Sequence, residues 1–192
     1  MSFAVRWHYE ISRFFLLLGK KERAMTALRQ ALVLDAGFVP ARESLAFLHA
    51  SAGSDELAIA EFQKALSLAP DHADAWFNLG FLHHRRQEHE KAVAAFGKAV
   101  ELKPSIDRAW FGMGLAHRSL GRLGEAAQAL ERAGKLQPMN PHAWYELGMT
   151  YYALKRYDKV QEVIEYLNGF DPKWTRQLMH DTPDRGAAGP ET

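Results

Sequence analysis

Three histidines, His49, His83 and His117, follow one another at steps of 34 residues. Imidazole is a common zinc ligand, and a shared ion would need the nitrogens at about 2.0–2.1 Å. If each histidine rides on its own helical layer, the layers are about 8–10 Å apart, so the three do not converge on an ion. The pattern reads instead as one histidine per repeated unit, donating a hydrogen bond inside a packed interior. His84, Glu88 and His89 are a denser cluster, but they straddle an expected turn and share no fixed helical spacing. No metal site is therefore expected. The absence of cysteine removes thiolate catalysis, thiolate ligands and disulfides together. There is no Gly-rich phosphate loop, nucleophile elbow or HExxH helix. No catalytic residue and no cofactor are expected.

Lys and Arg number 24 against 23 Asp and Glu, a net charge of +1. That balance argues against a dedicated nucleic-acid binder with a strong basic footprint. The apolar run at residues 14–18 is five residues long, with Arg6, Glu10 and Arg13 ahead of it and no small-residue cleavage site behind. It is neither a signal peptide nor a membrane span, so no membrane insertion is expected and a soluble, cytoplasmic protein is the default.

The elements that must position these residues are marked by the same step of 34. Trp76, Trp110 and Trp144 share it; so do Pro70, Pro104, Pro138 and Pro172, and so do Gly80, Gly114 and Gly148. A period of this length across three residue types is the signature of a repeat array rather than of a single central core. Within residues 73–106 the order Trp76, Leu79, Gly80, His83, Ala92, Phe96, Ala99, Pro104 resembles the tetratricopeptide repeat pattern, with His83 where that family usually has Tyr. The resemblance implies an all-α solenoid of about five helix-turn-helix hairpins in a right-handed superhelix, closed by a short capping helix. The units fall at 5–38, 39–72, 73–106, 107–140 and 141–174, with a partial capping helix at 175–180 and a disordered tail at 181–192. The second unit carries Arg42 for Trp and Ala46 for Gly; the first has His8 for Trp and Ala36 for Pro.

Helical periodicity gives each position a physical task. Ala75, Trp76, Leu79, Gly80 and His83 fall on one face of the first helix. A glycine there costs roughly 1 kcal/mol of helix propensity, which suggests close approach between helices. Ala92, Phe96 and Ala99 alternate small with large on the second helix so that the pair can interdigitate. Gly19, Gly53, Gln87, Gly121 and Lys155 share one turn position, and glycine suits the left-handed C-cap conformation.

In the family the concave surface is lined by the second, fifth, ninth and twelfth positions of each first helix. The fifth gives Tyr9, Glu43, Phe77, Phe111 and Tyr145; the ninth gives Arg13, Phe47, Phe81, Leu115 and Met149; the twelfth adds His84, Arg118 and Tyr152. Apolar residues at the ninth position depart from the Asn that is more usual in the family. Positions five, nine and twelve form one stripe. The resemblance implies that the stripe is a groove for a peptide or helical segment of another protein; packing of these residues against one another is the competing reading. Clamping of a C-terminal carboxylate, a known family mode, is not expected, since only Asn78 matches its residue set. A basic strip of Lys20, Lys21, Arg23, Arg85, Arg86, Arg118, Arg122, Lys155 and Arg156 either complements helix dipoles or binds an acidic partner, with Asp55 and Glu56 interrupting it. The alternative function is self-association. Phe14, Leu16, Leu17 and Leu18 put apolar residues around a terminal helix whose outer side would ordinarily be polar, so a second copy, another protein or the chain's own first residues should cover it.

Overall fold

Helix starts follow the repeat register. A computed structural model describes residues 2–183, and among these the chain forms eleven helices and no strand: α1 (Phe3–Leu17), α2 (Lys21–Leu34), α3 (Val39–Ser51), α4 (Asp55–Leu68), α5 (Ala73–Arg85), α6 (His89–Leu102), α7 (Asp107–Ser119), α8 (Leu123–Leu136), α9 (Pro141–Ala153), α10 (Tyr157–Asn168) and α11 (Pro172–Asp181). Thus α3, α5, α7 and α9 begin 34 residues apart. The chain divides after Glu88 into two compact units, the first holding α1–α5 and the second α6–α11.

The turns explain why the helices stop where they do. Gly19, Gly53 and Gly121 adopt φ of 69°, 77° and 73°, and Gln87 and Lys155 adopt 62° and 58° at the equivalent position. Five turns therefore share one left-handed residue, although only three have the residue that takes it without strain. The tryptophans do more than fill space. The indole Nε1–H of Trp76, Trp110 and Trp144 donates to the carbonyl of Pro70, Pro104 and Pro138, at 2.8, 2.9 and 2.9 Å. Each proline thus ends one unit while its carbonyl is tied to the first helix of the next. In the second hairpin Arg42 makes the same tie, its Nε and Nη2 donating to the carbonyl of Ala36 at 2.9 and 2.6 Å. Two apparent departures from the pattern, Arg for Trp and Ala for Pro, preserve one interaction.

In the first unit, Val5, Leu28, Leu45 and Leu48 pack with Ala24, Ala31 and Ala41, and Tyr9, Phe15 and Phe38 close over them. On α4 the buried residues Ala58, Phe62 and Ala65 alternate small with large. In the second unit, Ala92, Phe96 and Ala99 do so on α6, and Ala126, Leu130 and Ala133 on α8. Gly114 lets α8 approach closely: a Cβ there would lie 2.7 Å from the Leu130 Cγ and 3.3 Å from the Ala126 carbonyl oxygen.

The C-terminal helix differs from expectation at both ends. It begins at Pro172, not at 175, because the Asp171 carboxylate accepts from the backbone N–H of Lys173 and Trp174, both at 3.2 Å, and proline is pre-organised for a first helical position. It also reaches Asp181, which was expected to open the tail, and Thr182 after it is buried. The remainder of the expected tail, from residue 184, lies outside the described residues.

Candidate functional site

The stripe at positions five, nine and twelve behaves differently in the two units. In the first, Phe47 on α3 and Phe81 on α5 are 64% and 50% exposed. Arg85, one turn beyond Phe81, places its guanidinium 5.8 Å from that ring's centroid and donates to the Ala50 carbonyl on α3 at 3.3 Å. The same arginine pairs with Asp55, through Nε at 2.7 Å and through Nη2. Arg85 thereby ties the end of α5 beside Phe81 to α3 and α4. Phe77 and His84 are half-buried beside them in register. Tyr9 contributes little to an open surface, because its ring packs edge-on to Phe38 at 5.3 Å and joins the core of the first hairpin.

In the second unit the stripe is covered. Phe111, Leu115, Tyr145, Met149 and Tyr152 are all half-buried. Phe111, Tyr145 and Met149 pack against a core cluster that includes Leu178 of α11. The Trp174 ring meets Tyr145 edge-on at 5.0 Å, and the Tyr145 hydroxyl donates to the Asp181 carboxylate at 2.7 Å. That bond pushes the Tyr145 phenol up to about 12. Asp181, which also accepts from Gln177 and neighbours His180, is held down to about 2. Leu178 reaches Gly148, where a Cβ would lie 2.6 Å from its Cδ2. The capping helix thus occupies the stretch of stripe on α9. Arg118, proposed from sequence as a groove residue, pairs with Glu146.

Three arginines of the basic strip pair with acids in the first turn of the second helix of the preceding hairpin. Arg85 pairs with Asp55; Arg86 with Glu56 and Glu88, both at 3.1 Å; and Arg122 with Glu90 at 2.5 Å. Asp55 and Glu56, which seemed to interrupt the strip, are its partners. The sequence held the signal, an acid about 30 residues ahead of each arginine, but it is visible only when both signs of charge are followed through the register.

The histidines at the repeat's eleventh position are interior groups with unequal partners. His83 is buried and its Nδ1 lies 2.8 Å from the Glu88 carboxylate. His49 is buried, and burial pushes its pKa down, with Arg29 adding to the effect. His117 is half-buried, its Nδ1 has no hydrogen-bond partner, and burial lowers its pKa too. Among the described residues the expected interior bond is thus seen at His83 and not at the Nδ1 of His117, where the counterpart of Glu88 is Arg122, a donor. Among the described residues no group of three or more His, Cys, Asp or Glu is placed to hold a metal ion.

On α1 the structure adds residues that sequence reasoning overlooked. Phe14, Leu16, Leu17 and Leu18 are exposed, and so are Phe3 and Trp7. Their spacing was the available clue. Among the described residues no helix is long and apolar enough to cross a membrane.

Comparison with protein families matches the TPR repeat model at residues 48–87 and 114–155, and tetratricopeptide repeat models at 73–106 and 141–172. The chain belongs to the tetratricopeptide repeat family. Comparison with curated proteins gives no match. Among solved structures, MamA of Desulfovibrio magneticus RS-1 is similar at 21% identity, covering 96% of this chain and 99% of that one with a TM-score of 0.78. YrrB, described as a TPR protein with an unusual peptide-binding site, aligns at 22% identity over 91% and 89% of the two chains, TM-score 0.80. PilF of Pseudomonas aeruginosa aligns at 21% identity over 95% and 86%, TM-score 0.74. Likeness at this identity establishes the fold. The Trp-to-Pro tie and the left-handed turn residue are how this chain builds its repeats.

Proposed function

We propose that this repeat protein holds an apolar segment of another polypeptide against α3 and α5, acting as an adaptor or assembly factor rather than an enzyme. The observation that carries the proposal is the exposure of Phe47 and Phe81 at one register position. Large apolar side chains repeated in register and left in water mark an interaction surface. Each contributes roughly 1.5–3 kcal/mol when a partner buries it, enough for two anchors to decide whether a complex forms against the cost of association. The helix α11 shows what a fitting occupant looks like. It is a short amphipathic helix that sets Trp174 and Leu178 against α9 and accepts a bond from Tyr145 at its far end. A partner segment presenting one aromatic and one aliphatic anchor a turn apart, with Phe77 and His84 beside it, suits the open stripe in the same way. YrrB, with its peptide-binding site, is a precedent on this fold.

The test is a pull-down with wild type and with Phe47→Ala and Phe81→Ala. The partner should be lost from both variants while the melting temperature stays within a few degrees. A collapse of stability would assign the two rings to the core instead. Leu115→Ala, half-buried in the second unit, should cost more stability and less binding than either.

Self-association through α1 is the second reading, favoured by the exposure of Phe3, Trp7, Phe14 and Leu17 along one helix.

A further inference from the structure

The exposed residues of α1 are ordered. Phe3, Trp7, Glu10, Phe14 and Leu17 are spaced by four, three, four and three residues, the a/d spacing of a heptad seam. Phe3, Trp7, Phe14 and Leu17 are 81%, 56%, 57% and 86% exposed, while Val5 and Ser12 on the opposite side are buried in the first hairpin. The seam is nearly palindromic about Glu10: Phe3 and Leu17 lie seven residues to either side, Trp7 and Phe14 three and four. A two-fold interface requires a surface complementary to itself, and a sequence palindrome on a helix face supplies one. The charge at the centre is also self-complementary. Glu10 accepts from Arg13 Nη1 at 3.1 Å with both side chains half in water.

We infer that a second copy of this chain docks α1 against α1 antiparallel, with the two-fold axis at Glu10. This rests on the self-association reading and specifies its register. Trp7 then faces Phe14 of the other copy, and Phe3 faces its Leu17. Arg13 of each copy lies three residues along the axis from the other's Glu10, an offset of about 4.5 Å. Two long side chains span that across helices about 8–10 Å apart. The dyad becomes a ring of two carboxylates and two guanidiniums with no net charge, and Arg6 remains on the wet rim. The area is adequate. The three aromatics present roughly 300–500 Å² per copy. With Leu17 and Leu18 added, the two copies together approach the ~1,000 Å² that a specific interface needs.

Sedimentation velocity on the full chain tests this. Wild type should sediment as a dimer of the 21.7 kDa chain, and Leu17→Glu as a folded monomer. Glu10→Arg places four cations at the dyad and Arg13→Glu places four anions, so each alone should dissociate the dimer by roughly 100-fold. Mixing those two variants pairs opposite charges at every contact and should restore a heterodimer, a rescue that no loss of folding could mimic. A wild-type monomer at the highest attainable concentration would overturn the proposal; so would a monomer that floats with phosphatidylserine vesicles. If Leu17→Glu dissociates the dimer while both charge variants stay dimeric, the Glu10 register is wrong and only association through α1 survives.

Discussion

The smallest device in this protein is a hydrogen bond from the fourth residue of a first helix to the carbonyl six residues before it. Trp76, Trp110, Trp144 and Arg42 all make it. What is retained at this position is a donor on a long flat side chain, which is why Arg can stand in for Trp. Trp110→Phe keeps most of the packing and removes the donor, so chemical denaturation should show a loss of about 1 kcal/mol. The turn residue follows from backbone sterics. A residue with a side chain costs roughly 1–2 kcal/mol in the left-handed region, and glycine returns part of that gain through its freer unfolded chain. Lys155→Gly and Gln87→Gly should therefore each raise stability by up to about 1 kcal/mol, and Gly121→Ala should lower it by a similar amount. The interior histidines make stability depend on pH. His49 and His117 have folded pKa values below the ordinary 6.5, so below pH 6.5 the unfolded chain takes up protons that the folded chain resists. The melting temperature should fall between pH 7.5 and pH 5. Replacing both with Tyr, the family's usual residue, should flatten that slope.

At the scale of the element, α11 shows how register and contact can separate. Leu178 stands 34 residues after Trp144, where another tryptophan would continue the ladder, yet it packs on Gly148 and joins the core of the second unit. A capping helix was legible from the run after Pro172, long enough for about two helical turns. Its start was readable from Asp171 and Pro172 together, had proline been taken as a first helical residue and not only as a stop. Its hold on Tyr145 was not readable, because the bond to Asp181 joins residues 36 apart whose meeting depends on how the helix docks. Leu178→Ala should cost about 2–5 kcal/mol, as truncation of a fully buried leucine does, and it should unmask Tyr145 to solvent, seen as a rise in tyrosine quenching.

For the molecule as a whole, the fold was written in the sequence as a period. Trp, Pro and Gly at one step placed helices α3, α5, α7 and α9, and the family match agrees with them. The exposure of the ninth position was not written there. Phe47, Phe81, Leu115 and Met149 look alike in sequence, but two are open and two are half-covered, because burial is set by neighbours such as α11 that periodicity does not place. The charge ladder escaped notice for a related reason: Arg85, Arg86 and Arg122 were legible as cations, while their pairing needed Asp55, Glu56 and Glu90 to be followed across hairpins. Phe47 and Phe81 are the proposed binding surface. The direct measurement is calorimetric titration of a peptide, selected for binding from a library of amphipathic segments, into wild type and into the Phe47→Ala/Phe81→Ala double variant. Loss of two anchors at roughly 1.5–3 kcal/mol each predicts a Kd weakened by about 100-fold or more, with the melting temperature little changed. An unchanged Kd would contradict it.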